Sequence, residues 1–352
     1  MKIFLKVAAV VVVVVIAAVS IVCLTGDKNK DISSLDLAKI ILEKAEVEGD
    51  ASFLLPDTVT DKNKILTKAE MYGILTEICF CGDQDKMLDI VGEGELSSSD
   101  NVTADDAEKI LIKLLGSKIA DGENGNCFTA LSTADKYVQG NLTVIVKSGK
   151  VSLSNVRASG TITVLMGEGS EVAFEKGTTA NAGIFIFSKG EAVLIEEGGG
   201  VLDVTLKGNF KMQGNLTSLK LKSGSKLEMS GDVVYGMIEG SFIHKVGSFG
   251  TLLSGGEKAE ISLSESSTGN DLTIASASSK TTMAGKVKNI KIEAASSVVT
   301  LREFSEVEVL YLGGNAQGTN LIIEKRAVTG EIKKEDSPIT VIDNRTPWDG
   351  RR

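Results

Sequence analysis

A short apolar pattern that recurs about ten times between residues 140 and 344 constrains most strongly what this chain can fold into. Each unit has a strand with alternating apolar residues, a corner led by Gly or Ser and, in most units, a second strand. Periods near 20 residues with this content are typical of stacked coils, because one coil cannot bury its apolar face alone. The pattern predicts a mainly β fold, a β-solenoid of about ten coils that are mostly 17–22 residues long. The first strands begin at Leu142, Ile162, Ile184, Leu202, Leu219, Met237, Leu252, Leu272, Ile290 and Val307.

The same alternation predicts the core, since successive residues of a strand point to opposite sides. The whole array up to Ser337 also lacks proline, which suits continuous sheets because ladder strands need every N–H group. We expect these residues to point inward and to stack along the axis: Val144, Ile162, Val164, Ile184, Ile186, Leu202, Val204, Leu219, Leu221, Leu272, Ile274, Ile290 and Ile292.

An uncharged apolar run from Val7 to Leu24 follows Lys2 and Lys6 at the start of the chain. Eighteen residues can span a bilayer, and basic residues on the N-terminal side place the rest of the chain outside. We interpret residues 1–26 as a signal peptide or membrane anchor. No small-x-small cleavage site stands at its end, so both alternatives stay open. The expected location is the extracellular face of the cell, membrane-anchored or secreted.

Residues 27–139 change to helical patterns, and three segments in them match each other. Each has Ser or Thr, then Asp or Glu three residues later, then an apolar helix face. This is a capping box, in which the hydroxyl and the carboxylate satisfy free N–H groups at the start of a helix. The caps are Ser33, Thr67 and Thr103, spaced 34 and 36 residues apart. The sequence therefore predicts a helical domain with three capped helices.

One of these segments resembles a known family of surface modules. Phe53, Pro56 and the run Ile65-Leu-Thr-Lys-Ala-Glu70 are similar to the end of an S-layer homology module, whose signature is an aromatic residue, a Pro and Ile-Thr-Arg-Ala-Glu. Such modules bind cell-wall polysaccharide, so the resemblance implies a glycan site at Thr67, Lys68 and Glu70. Lys68 replaces the family's arginine, and the only Trp of the chain is Trp348, so the usual Trp is missing.

Charge is divided unevenly between the two regions. Residues 1–139 carry a net charge of −9, whereas residues 140–352 are neutral. A protein that binds nucleic acid needs a basic stripe to neutralise phosphates, and a balanced solenoid lacks one. The composition therefore excludes nucleic acid as the expected partner. Cell-wall polysaccharide or surface glycans are the partners that the resemblance implies.

Three cysteines lie outside the N-terminal run: Cys79, Cys81 and Cys127. The Cys-x-Cys spacing is too tight for an ordinary zinc knuckle, and no second pair follows. A disulfide from Cys127 to Cys79 or Cys81 is one interpretation for an oxidising compartment. Reduced, buried thiols are the other, and the sequence leaves both open.

Catalytic constellations are mostly absent from the sequence. His244 is the only histidine, so a catalytic triad or a multi-histidine metal site would rest on it alone. An outward polar side chain is the expectation for His244. Acidic residues of the array, such as Asp203, Asp232 and Asp271, are spread singly rather than clustered. We therefore predict no enzyme activity, no cofactor and no metal.

The array itself resembles the repeats of secreted Firmicutes surface proteins that pair such arrays with S-layer homology modules. The segments Gly140-Asn-Leu-Thr and Gly214-Asn-Leu-Thr carry this likeness. The favoured function is a non-enzymatic structural or adhesion-type surface protein. One alternative is a carbohydrate-active β-helix of the polysaccharide lyase type, and another is a polymer-forming scaffold similar to bactofilins.

The ends of the array are expected to be protected. Residues 27–139 should cover the first coil, and charged residues with Pro338 beside the strand Ile339–Ile342 should limit growth at the last. We therefore expect a monomer with its solenoid at residues 140–344 and a flexible tail at residues 345–352.

The apolar run at the N-terminus makes a prediction about topology. Because Val7–Leu24 should retain or export the protein with Asp27 onward outside, protease added to intact cells should digest the chain. Immunoblotting against the solenoid measures this, with a cytosolic protein as the control. Full protection of the solenoid would contradict the assignment.

Overall fold

The computed structural model describes residues 28–92, 98–119, 124–198, 202–335 and 339–345. The predicted segment Val7–Leu24 and most of the tail lie outside these residues. In the described part of the chain, no helix is long and apolar enough to cross a membrane. A helical domain comes first, with helices α1 (Ser34–Lys44), α2 (Lys68–Phe80), α3 (Gln84–Val91) and α4 (Ala104–Leu115) and a 3-10 turn at Ala51–Leu54.

The rest of the chain is a solenoid of parallel strands, which confirms the predicted β-solenoid of about ten coils. Three sides can be distinguished. The side that we call face A includes β2, β5 and β8; face B includes β3, β6 and β9; face C begins with β4, β7 and β10. The strands are β1 (Ser117–Lys118), β2 (Cys127–Thr129), β3 (Thr133–Ala134), β4 (Tyr137–Val138), β5 (Leu142–Val146), β6 (Lys150–Ser154), β7 (Arg157–Ala158), β8 (Ile162–Met166), β9 (Glu171–Phe174), β10 (Thr179–Ala180), β11 (Ile184–Glu196), β12 (Asp203–Gln213), β13 (Leu216–Leu221), β14 (Lys226–Ser230), β15 (Val233–Ile238), β16 (Ser241–Ser254), β17 (Glu260–Ile274), β18 (Lys280–Met283), β19 (Lys286–Ile292), β20 (Val298–Leu301), β21 (Glu306–Leu312), β22 (Asn320–Ile323), β23 (Val328–Lys334) and β24 (Thr340–Asp343).

The core of the solenoid consists of apolar side chains stacked from coil to coil. All thirteen residues predicted to point inward are buried in one continuous apolar cluster. Their registers are direct: Leu142 lies beside Ile162, which lies beside Ile184. Further along, Leu252, Leu272 and Ile290 continue the same stack. The predicted period and its inward face are therefore confirmed.

Asn and Asp side chains join the corners of successive coils. The side-chain oxygen of Asn141 accepts the backbone N–H of Thr161 at 2.9 Å, and that of Asn215 accepts the N–H of Asp232 at 2.8 Å. Asp232 repeats the contact with the N–H of Ser248 at 2.7 Å. These bonds satisfy backbone donors where the chain turns between faces. The recurring Gly-Asn-Leu-Thr segment thus has a structural role.

The solenoid begins earlier than the sequence indicates. Helices end at Leu115, and β1 to β4 already lie within the region assigned to the helical domain. β2, β3 and β4 pair with β5, β6 and β7, so they form a coil before the predicted first one, and β1 adds a further strand on β2. The difference arises because the described strands in this part of the chain have only two or three residues, too short to show a period.

Residues 27–139 cover the predicted first coil through β2, β3 and β4, whereas the helices, contrary to our expectation, pack against the side of face A. Ile145, Leu165, Phe185 and Phe187 point outward from face A and are buried in the same apolar cluster as the helices. The ring of Phe80 meets that of Phe185 edge-on at 5.8 Å. β5, β8 and the start of β11 are thus buried on both sides, as their mostly apolar sequences favour.

The C-terminal end of the solenoid is partly protected. Arg345 donates hydrogen bonds to Asp343 of β24 and, at 2.6 Å, to Thr329 of β23, so it crosses between the last two strands. Inward-facing charge of this kind opposes further strand pairing. Ile332 and Val341 nevertheless stay 44% exposed, because no further coil of the described residues covers them.

The inward stack makes a prediction about stability. Ile274→Asp places a carboxylate in a fully buried position, whereas Thr273→Asp places it on the outer side of the same strand. We expect the first change to destabilise the fold by about 4 kcal/mol or more and the second by less than about 1 kcal/mol. Thermal unfolding followed by circular dichroism compares the two. Equal melting temperatures would show that the register is wrong.

Candidate functional site

Three helices begin at capping boxes, as predicted. The hydroxyls of Ser33, Thr67 and Thr103 each accept the backbone N–H of the residue three positions later, at 3.2 Å in all three helices. The carboxylate of that residue in turn accepts the backbone N–H of the cap. Each motif thus satisfies its own helix start.

The residues that precede the three caps are joined in a closed ring of backbone hydrogen bonds. Ile32 donates its N–H to the carbonyl of Val102, Val102 donates to Leu66, and Leu66 donates to Ile32, each at 2.9 Å. All three side chains are buried. Each of the three residues donates one of these bonds and accepts another. The ring therefore arranges α1, α2 and α4 around a quasi-threefold axis. The regular spacing of the caps in the sequence therefore reflects a structural repeat.

A groove lies between each pair of these helices, where the start of one helix approaches the side of the next. The first residues, Ser34, Lys68 and Ala104, occupy equivalent places in the three grooves. The α2–α4 groove has a volume of about 610 Å³, compared with about 290 Å³ for the α1–α2 groove and 140 Å³ for the α4–α1 groove. Only the α2–α4 groove falls well within the range that is usual for ligand sites.

The α2–α4 groove is also the one with a basic lining. Among the residues that the structure describes, Lys68, Lys109 and Lys113 line it together with one carboxylate, Asp106. Lys109 pairs with Asp105 one turn earlier on α4. Apolar surface of Met71, Tyr72 and Ile110 completes the lining. The α4–α1 groove is mixed in charge, with Glu43, Asp105 and Glu108 beside Lys28 and Lys44. A basic groove within an acidic domain is suited to an anionic ligand.

The three residues implied by the family resemblance do not converge on one site. Lys68 lines the α2–α4 groove, whereas Glu70 lines the α1–α2 groove. The hydroxyl of Thr67 is used in the cap. Hydrogen bonds from Lys64 and from the Thr67 amide hold the pKa of Glu70 below its usual value. Lys109 and Lys113, which sequence reasoning missed, join Lys68 only because the quasi-threefold ring brings α4 beside α2.

All three cysteines are buried and reduced in the structure. Cys127 lies in the solenoid core, whereas Cys79 and Cys81 lie between the helices and face A. Burial raises the pKa of Cys79 to about 12 and also raises that of Cys81. Since the thiolate is the reactive form, these positions suit packing rather than catalysis.

His244 corrects our expectation of an outward side chain, because it is fully buried inside the solenoid. It takes the place of an apolar residue in a core stack, with Met229 and Leu263 as its register partners. Its ring stacks on Phe242 at 5.8 Å and meets Phe249 edge-on at 6.1 Å. A polar ring is accommodated there because both of its nitrogens have hydrogen-bond partners inside the solenoid.

Both ring nitrogens of His244 are hydrogen-bonded. Nε2 lies 2.9 Å from the carbonyl oxygen of Gly231, which can only accept, so Nε2 carries the proton. Nδ1 lies 2.9 Å from the hydroxyl oxygen of Ser267, and that hydroxyl also donates to the backbone carbonyl of His244 at 2.9 Å. Burial lowers the pKa of His244, although the Gly231 carbonyl and the charge of Asp232 act in the opposite direction. The ring is therefore held neutral as a structural group.

Among the residues that the structure describes, no group of three or more His, Cys, Asp or Glu side chains could hold a metal ion. The fold defines the chain as a β-solenoid protein with a quasi-threefold helical domain on its side. Comparisons with protein-family models, with curated proteins and with solved structures gave no match.

The buried histidine makes a prediction about pH. Because the folded protein has a lowered His244 pKa, the unfolded chain binds the proton more tightly, and stability should fall as the pH drops below about 6.5. His244→Leu matches its register partner Leu263 and removes the titrating group. The loss of unfolding free energy between pH 7.5 and pH 5 should be smaller in this variant, as measured by urea titration. An equal loss in both proteins would contradict the assignment.

Proposed function

We propose that the protein is a non-enzymatic surface protein of a bacterium, membrane-tethered or secreted, whose helical domain binds an anionic cell-wall polysaccharide. The observation that carries the proposal is the α2–α4 groove, with Lys68, Lys109 and Lys113 around an apolar floor. Ammonium groups donate charge-assisted hydrogen bonds to carboxylates and phosphates, which are about twice as strong as neutral ones. The solenoid would then be the structural or adhesive part.

The closed ring of Ile32, Leu66 and Val102 supports this proposal further. Three capped helices around a quasi-threefold axis form repeated grooves, which agrees with the S-layer-homology-like character of the Thr67–Glu70 segment. The grooves differ in size and charge, so one groove would bind the polymer while the other two serve the fold.

The docking of the helices on face A supports a rigid connection between the two parts. Lys207 of the solenoid pairs with Glu77 of α2 at 3.2 Å, and both side chains are largely buried. The hydroxyl of Thr163 donates to the carbonyl of Cys79 at 2.9 Å. A polysaccharide bound at the helices would therefore hold the solenoid in a defined direction rather than on a loose tether.

A carbohydrate-active enzyme is the second candidate, and one observation favours it. Glu306 and Glu308 lie with Lys286 and Lys288 in a groove on the solenoid surface. Paired carboxylates near a cation are the groups that polysaccharide cleavage uses. Lys286 and Glu306 are, however, paired with each other at 2.9 Å. Release of reducing ends or unsaturated sugars from a panel of polysaccharides, lost in Glu306→Gln and Glu308→Gln, would establish this candidate instead.

The α2–α4 groove makes a prediction about wall binding. The double variant Lys68→Gln/Lys113→Gln removes two positive charges from the groove, and we expect its affinity for isolated bacterial cell walls to fall about tenfold or more. Co-sedimentation of the full chain with walls measures this, and binding should weaken at high salt.

The matched control is Lys62→Gln/Lys86→Gln, which removes the same charge from the helical domain away from this groove. Walls from which acidic polysaccharide has been extracted test the ligand class. Equal binding by both double variants, or undiminished binding to extracted walls, would contradict the proposal.

A further inference from the structure

A long groove of about 480 Å³ runs parallel to the solenoid axis where face C meets face A. It crosses four successive coils, and each coil contributes an equivalent stretch of chain. Its lining residues are Ser248, Phe249, Gly250, Thr268, Gly269, Asn270, Lys286, Val287, Lys288, Glu306 and Glu308. Its volume is within the usual range for ligand sites.

Beneath the groove, a large side chain of one coil packs into the space left by a glycine of the next coil. Phe249, Gly269 and Val287 lie in register in successive coils. A Cβ atom on Gly269 would lie only 2.0 Å from the ring of Phe249, so the ring occupies the space of the missing side chain. Gly250 is equally constrained, since its Cβ would lie 2.4 Å from the carbonyl oxygen of Val234. The backbone beneath the groove is therefore closely packed at these two coils.

Two rows of outward side chains border the groove. One row has Ser248, Thr268, Lys286 and Glu306, which pair in register from coil to coil. The other has Asn270, Lys288 and Glu308 at the equivalent positions two residues later. Adjacent coils are about 4.8 Å apart, so the four coils span about 14 Å. The polar groups thus repeat at short, regular intervals along a straight line.

The chemistry of the two rows points to a hydroxylated polymer. The strands beneath the groove pair with coils on both sides, so their backbone groups are not free to bind an extended peptide. Recognition must come from the hydroxyl, amide, ammonium and carboxylate groups of the side chains. Two lysines and two glutamates balance in charge, which gives no preference for a polyanion.

We propose that this groove binds a neutral linear polysaccharide, with the chain of sugars lying parallel to the solenoid axis. Asn270 and Lys288 are neighbours in the second row, where they bind sugar hydroxyls directly. This site is separate from the α2–α4 groove, and it takes a ligand of different charge. The protein would therefore contact two kinds of glycan, one at each domain.

The test uses the full chain with cellohexaose, mannohexaose and chitohexaose as neutral probes, and a hexamer of polygalacturonate as the anionic probe. Isothermal titration should show saturable binding of at least one neutral probe, and any binding of the anionic probe should be unchanged in Asn270→Ala/Lys288→Ala. Asn270→Ala/Lys288→Ala should lower the affinity for the neutral probe about tenfold. Each of the two side chains contributes a hydrogen bond, and the loss of one such bond lowers the affinity a few-fold.

The matched control is Asn320→Ala/Lys291→Ala, which changes the same residue types on exposed strand positions outside the groove. This variant should bind the neutral probe as the parent does. Absence of binding for all three neutral probes, or equal weakening in both double variants, would overturn the proposal. Lys68→Gln/Lys113→Gln should leave the neutral interaction unchanged, so failure of this site and failure of wall binding at the helices can be told apart.

Discussion

The parallel backbone ladder between successive coils is the interaction on which the rest of the structure depends. It fixes the register, and the register decides which side chains stack inside and which form rows outside. Leu142, Ile162 and Ile184 follow one another inside for this reason, and Thr268, Lys286 and Glu306 follow one another outside. Both the apolar core and the surface groove are consequences of the same regular pairing.

The interface between the two domains is formed by strands that also contribute to the solenoid core. β5, β8 and the start of β11 carry apolar residues on both sides, so they contribute to the solenoid core and to the interface with the helices. Ile145, Leu165 and Phe185 would be exposed apolar surface without the helical domain. The helical domain therefore covers the apolar outer side of these strands, and the strands provide the surface on which the helices pack.

The period, the inward residues and the capped helices could be predicted from the sequence, because each depends on local alternation or on contacts three residues apart. The position of the helical domain was not predicted, although Leu142–Val146 and Ile162–Met166 are apolar at every position but one, which is typical of strands buried on both faces. His244 was misplaced because its own polarity was weighed above its alignment with Met229 and Leu263.

The grooves could not be predicted from the sequence, since both depend on residues that only the fold brings together. Lys68 and Lys113 are 45 positions apart, and they share a groove because three backbone bonds close a ring. Phe249 shapes the solenoid groove through a glycine of the next coil. Neither the pair Lys68 and Lys113 nor the contact of Phe249 with this glycine produces a periodic pattern in the sequence.

The closed ring of Ile32, Leu66 and Val102 implies that the two domains tolerate different kinds of evolutionary change. A coil in an open array can be duplicated or lost at the cost of one interface, because its neighbours can pair with each other. Loss of one helical repeat would instead leave a buried donor and a buried acceptor without partners. Related chains should therefore vary in rod length by whole coils while the number of capped helices stays at three.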